Sequence, residues 1–154
     1  MKFLVTILVA LLAVSFASAT SPFQCGPRNV CQPFQSCVCD HGVFKCVYDC
    51  PEVQIVQTIF NRWADNNGNQ PSVQVQVDII NRTNRNIKDI IIATDVNLNS
   101  NQIWGVDKIF VSNGITVIDL PSYVDIAAHG KYSFGYINRG NSAAHLYVKN
   151  VLVN

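Results

Sequence analysis

Between positions 73 and 79 apolar and polar side chains take strict turns, Val73, Val75, Val77 and Ile79 alternating with Gln74, Gln76 and Asp78. An environment that repeats every two residues fits a strand and no helix, because only in a strand do successive side chains point to opposite faces. One face is expected on a core and the other toward water. Further strand candidates lie at 53–62, 87–94, 108–111, 115–119, 132–137 and 143–153. Turn residues separate them, among them Asn66-Asn67-Gly68, Asn113-Gly114, His129-Gly130 and Arg139-Gly140-Asn141. No stretch has helical amphipathicity. About seven short strands in roughly 100 residues predict an all-β, antiparallel β-sandwich, with a barrel as the structural alternative. Tyr132, Phe134 and Tyr136 alternate, so they share one face of a strand and are expected in the core.

Ahead of this region the chain is built differently. A basic start at Lys2, an apolar run from Phe3 to Val14 and the small residues Ala17-Ser18-Ala19 predict a cleavable secretory signal over 1–19. The apolar run is shorter than the roughly 17 to 25 residues of a spanning helix, so no membrane partner is expected. All the cysteines, Cys25, Cys31, Cys37, Cys39, Cys46 and Cys50, fall within 20–51. A segment that short buries too little apolar surface to offset its conformational entropy, and in an oxidising compartment three disulfides are the expected substitute. Six cysteines allow about fifteen pairings, and spacing does not choose among them. The rival, a metal site of thiolates with His41, lacks paired C-x-x-C spacing. The expected organisation is thus a signal peptide at 1–19, a disulfide-rich segment at 20–51 and a sandwich at 52–154.

Charge excludes several partners. The chain has 11 Lys and Arg against 10 Asp and Glu, and loss of Lys2 with the signal leaves the mature part neutral. Basic residues are scattered, which gives nucleic acid or acidic lipid no footprint. Abundant Asn, Gln, Ser and Thr suit hydrogen bonding to uncharged ligands. Glycoside hydrolysis needs two carboxylates flanking the scissile bond, yet Glu52 is the single glutamate, and no catalytic motif surrounds Asp95, Asp107, Asp119 or Asp125. His129 and His145 have no acidic or thiol partner in sequence. No catalytic residue, cofactor or metal site is therefore expected.

Three aromatics remain in exposed settings. Trp63 runs into the polar turn Ala64-Asp65-Asn66-Asn67-Gly68, Trp104 precedes Gly105 after a polar run, and Tyr123 follows Pro121-Ser122, where proline stiffens the backbone. A rigid indole offers a large apolar face at little entropic cost, as a planar surface for the C–H face of a sugar ring requires. Gln74 and Gln76 lie on the polar face of the strand at 73–79, where a solvated outer face is the expected reading and pairing with sugar hydroxyls the alternative. Asn81-Arg82-Thr83 is an N-x-[ST] sequon in an expected turn, so a glycan on Asn81 is expected.

In order and spacing Trp63, the alternation through Asn81, Trp104-Gly105, Pro121-Ser122-Tyr123, Gly130 and Phe134-Gly135-Tyr136-Ile137 resemble carbohydrate-binding module family 49. The likeness covers about residues 53–150. It implies a cellulose-binding β-sandwich in which Trp63, Trp104 and Tyr123 stack on sugar. Tyr123 stands where the family usually has Trp, and Gln70-Pro71-Ser72-Val73 enters the second strand where relatives often carry an aromatic. The resemblance implies a secreted, non-catalytic binder of cellulose or a related glucan in an extracellular matrix or coat, with other matrix proteins as further partners. The alternative is an adhesion or inhibitor module that binds protein through its disulfide-rich segment.

Overall fold

Residues 70–81 form one of the longest strands in the computed structural model, which describes residues 22–112 and 114–154. The signal expected at 1–19 lies outside the described residues. Twelve strands follow in order: β1 Phe23–Cys25, β2 Asn29–Cys31, β3 Ser36–Asp40, β4 Val43–Val47, β5 Val53–Asp65, β6 Gln70–Asn81, β7 Ile87–Thr94, β8 Ile103–Trp104, β9 Lys108–Ser112, β10 Ile115–Asp119, β11 Lys131–Arg139 and β12 Tyr147–Val153. Two sheets make the sandwich. One has the order β4-β3-β12-β7-β10-β9, the other β5-β6-β11-β8, and β1 pairs with β2 alone.

The alternation decides what lies between the sheets. Val73, Val75, Val77 and Ile79 of β6 are buried together with Phe134 and Tyr136 of β11, opposite Val38, Ile90, Ile92, Ile118, Val148 and Val151 of the other sheet. Removing this apolar surface from water, at about 25 cal/mol per Å², is the main force closing the sandwich. Tyr136 carries a hydroxyl into that core, and the hydroxyl is matched: it donates to Gln57 Oε1 at 2.6 Å and accepts from the Ala144 amide at 2.8 Å. Burial pushes its pKa up to about 12. The strand expected at 143–153 accordingly starts at Tyr147, because the chain around Ala144 is held by this side chain and not by a ladder.

The cysteine segment contributes more strand than its turns suggested. The hairpin β3–β4 continues the larger sheet, and β3 runs parallel to β12 in the register Cys37↔Asn150 to Asp40↔Val153. A parallel neighbour cannot come from a tight turn, and here β3 and β12 are separated by more than a hundred residues of sequence. Arg85, in the turn after β6, clamps Asp40 through both terminal guanidinium nitrogens, with Nη2 at 2.7 Å from Oδ2, and holds that carboxyl well below its usual range.

Three disulfides were expected and two form, Cys25–Cys37 and Cys31–Cys46, leaving Cys39 and Cys50 as thiols. The reason is strand alternation. Val38 points into the main core, so Cys37 and Cys39 face out, where Cys37 joins a small cluster with Cys25, Cys31 and Phe44. Cys50 packs against the main core on the other side of the sheet and cannot reach Cys39. Sulfurs of Cys25, Cys31 and Cys37 lie within 4.8 Å of one another, but all three are oxidised and offer no thiolate to a metal. His41 is turned to Asp40 instead.

Candidate functional site

Gly135 sits mid-strand in β11, and a Cβ built there would lie 2.3, 2.5 and 2.7 Å from Cζ2, Cε2 and Nε1 of Trp104. The indole therefore lies across the glycine backbone. Glycine within a strand weakens it unless another group must come close, and here that group is the ring. Trp104 is 44% exposed, so one face rests on the sheet and the other is open to water.

Register extends this seat into a row. Gly135 pairs with Trp104 on one side and Gln76 on the other, and Gln76 pairs with Thr58. Directly paired residues point to the same side of a sheet, so all four share the outer face of the β5-β6-β11-β8 sheet. At strand spacing the row crosses about 14 Å. Phe60, 56% exposed, joins it: Phe60, Gln76, Trp104, Ser133 and Gly135 line one shallow hollow of about 130 Å³.

A backbone irregularity governs Trp63. Along β5, Val53, Ile55 and Ile59 pack on the core, and an unbroken alternation would send odd-numbered Trp63 there too. A β-bulge between Ile59 and Asn61 inserts Phe60 and reverses the parity, pairing Asn61 with Gln74 and Trp63 with Ser72. Trp63 is thereby turned to the outer face and is half-buried. It stands two rows from Trp104 and at the opposite edge strand, roughly 20 Å away by strand geometry. The two tryptophans share a face without touching.

Polar groups flank the row. Asp78 Oδ1 accepts from Ser133 Oγ at 2.6 Å and Gln76 Nε2 at 3.1 Å, while Oδ2 faces Lys131 Nζ at 3.2 Å. The hydrogen bond from Ser133, then that from Gln76, hold the Asp78 carboxyl below its ordinary value. Because a carboxylate only accepts, Gln76 must donate its amide nitrogen to it, and the amide oxygen is left to accept from a ligand. An open indole beside a fixed amide and hydroxyls suits a ligand with an apolar face and hydroxyl edges.

The other expected site residues are placed elsewhere. Tyr123 is 81% exposed on the loop before β11, beside Tyr132, whose hydroxyl donates to Gly105 O at 2.7 Å. It is tied to the edge strand of Trp104 through these neighbours and is not part of the row. Asn81, expected in an exposed turn, is placed inside the fold. It is fully buried, and its Nδ2 donates to Arg85 O at 2.6 Å, Ile126 O at 2.9 Å and Ala127 O at 3.1 Å, while Oδ1 accepts from Thr83 N and Oγ1. The nitrogen a glycan would occupy is spent on holding the turn, so in the folded chain Asn81 is a structural residue. Sequence reasoning passed over Phe60, Ser133 and Gly135. Their signals were an aromatic on the polar side of β5 and a glycine between core aromatics.

Residues 53–141 match the carbohydrate binding domain CBM49. Stalk-specific protein B of Dictyostelium discoideum is 40% identical over 98% of this chain and 99% of its own length. Stalk-specific protein A of the same organism is 39% identical over the same shares. Among solved structures, chitinase ChiA74 from Bacillus thuringiensis is similar with a TM-score of 0.46 and 18% identity, covering 72% of this chain and 16% of the chitinase. A GH20 exo-β-N-acetylglucosaminidase from Vibrio harveyi gives 0.48 and 6% over 66% and 18%. This chain thus spans a small part of either enzyme.

Proposed function

This chain belongs to the CBM49 family of carbohydrate binding domains, and from that premise we propose that it is a secreted, non-catalytic protein that holds cellulose or a related β-glucan in an extracellular matrix or coat. The observation that carries the reading is the Trp104 indole laid flat over Gly135, in one row with Gln76 and Thr58 and beside Phe60. A glucan chain running across the strands would stack one ring on Trp104 and offer its hydroxyls to the Gln76 amide oxygen and Ser133. Trp63 and Tyr123 would touch the chain farther out, as secondary contacts. Residues 52–154 carry the binding, and 20–51 brace it through β3 and β4.

Two observations support the rest. Disulfides persist in oxidising compartments, which favours release of the chain through the signal at 1–19. Among the described residues the register places Asp78 beside the row, where Ser133 and Gln76 engage its carboxylate, and the non-catalytic reading rests on the family being one of binding domains. A pull-down on crystalline cellulose tests the reading. The chain should be retained and Trp104→Ala retained much less; a chain left wholly in the supernatant would refute the reading. Other matrix proteins are secondary partners, to be sought only in the retained fraction.

A further inference from the structure

A larger cleft, about 660 Å³, opens where the cysteine segment meets the sandwich. Its size is that of a small-molecule site. Three rings from two distant parts of the chain make an aromatic wall. Phe34 meets Tyr147 edge-on with centroids 5.8 Å apart, and His145 stacks with Tyr147 at 6.0 Å. Tyr48 lines the same cleft, and with Phe34 it remains strongly exposed, 64% and 52% respectively. Phe34 holds its ring there from a left-handed backbone, φ 66°, a conformation that costs an aromatic residue about 1 kcal/mol or more and persists only where surroundings fix it. Gln54, Arg82 and Asp49 supply donors and acceptors around the rings.

We propose that this cleft is a second binding site for a neutral oligosaccharide, which makes the chain bivalent toward glycans. The proposal extends the reading of the Trp104 face and takes its ligand class from it. Ring faces joined to an amide, a guanidinium and a carboxylate fit a ligand that is apolar on its ring faces and hydroxylated at its edges. The cleft borders β5 at Gln54, whereas Trp104 lies on β8, and these are the two opposite edges of one sheet. Edge separation lets the two sites hold different glycan chains. A bivalent binder gains avidity on a surface and joins neighbouring chains.

The test is an amide NMR titration of the chain, disulfides intact, with cellohexaose. Two groups of shifts are expected, one at Gln76, Ser133 and Gly135 and one at Phe34, Tyr48 and Tyr147. The double variant Phe34→Ala, Tyr48→Ala should lose the second group alone and weaken cleft binding at least about tenfold, near 1.4 kcal/mol. Trp104→Ala should lose the first group alone. Both truncated rings are exposed, so no core cavity is left, and Tyr48→Ala alone provides a milder change if the double variant melts early. Cleft amides that stay still while the Trp104 face saturates would overturn the proposal, as would cleft shifts that vanish in Trp104→Ala. A responsive cleft beside a silent Trp104 face would uphold it and refute the proposed face instead; silence at both refutes both.

Discussion

Adding one methyl group at Gly135 should displace the Trp104 ring, the proposed binding platform, without removing it. In Gly135→Ala the new Cβ would meet the indole at 2.3 Å, where ordinary contact begins at 3.4 Å, so the ring has to lift by about an ångström or swing aside. The indole is partly exposed and free to move, and replacing a mid-strand glycine regains roughly 0.5–1 kcal/mol of backbone entropy. Stability should therefore hardly change. Binding should suffer, because a tilted ring no longer lies parallel to the sheet. A central aromatic contact is worth about 2 kcal/mol or more, so Trp104→Ala should weaken glucan binding roughly 30-fold and Gly135→Ala about tenfold. Depletion isotherms on cellulose give the affinities and a thermal melt gives the folding check. In the double variant the glycine change should add nothing, since the ring through which it acts is gone. Wild-type affinity in Gly135→Ala, or a full further tenfold loss on top of Trp104→Ala, would show that the indole is not seated as described.

Other parts of the molecule give equally direct expectations. Asn81→Ala strips donors from three carbonyls and an acceptor from Thr83, and should cost roughly 3–4 kcal/mol in a urea titration; a loss under about 1 kcal/mol contradicts the buried arrangement, and intact-mass analysis should find Asn81 unmodified. Tyr136→Phe leaves the Ala144 amide unpaired and should cost about 1–3 kcal/mol. Because its folded pKa is raised to about 12 from 10.0, Tyr136 contributes stability that is complete below pH 10 and lost as pH rises through about 12; a phenol absorbance titration should show one late tyrosine that the Phe variant lacks. Maleimide should label Cys39 faster than Cys50, since burial first and Glu52 second push the Cys50 thiol up to about 12; peptide mapping should return Cys25–Cys37 and Cys31–Cys46, and a third native disulfide would refute the pairing.

Period two carried the fold: the strands at 87–94 and 115–119 occur with the boundaries the sequence implied, and the aromatic row at Phe134 and Tyr136 is buried as alternation requires. Local pattern was silent where the partner is remote. Nothing near Ser36–Asp40 announces a parallel neighbour at Tyr147–Val153, and nothing in a two-residue strand such as Ile103–Trp104 repeats often enough to show a period. At Asn81 the sequon records residue types, while burial depends on the carbonyl of Arg85 in the same turn and on those of Ile126 and Ala127 from a distant loop. Trp63 and Trp104 were legible as aromatics beside polar turns. That they share a face, roughly 20 Å apart, depends on register and was not legible.

The outer face is made by two departures from regular strand structure, and each works through parity or space. Without the bulge at Phe60, Trp63 would follow Val53, Ile55 and Ile59 inward, and the core would have to accept an indole where the β6 side offers Ser72 and Val73. Without the missing side chain at Gly135, Trp104 could not lie flat. Neither feature helps the sandwich close, since the bulge interrupts the β5 ladder and glycine weakens β11. Both cost stability while arranging aromatic rings toward water, an outcome that burial alone would oppose. That conflict between folding and surface is the physical ground for placing the ligand on this face: a chain stabilised only by its core would have kept Trp63 inside and a larger residue at position 135.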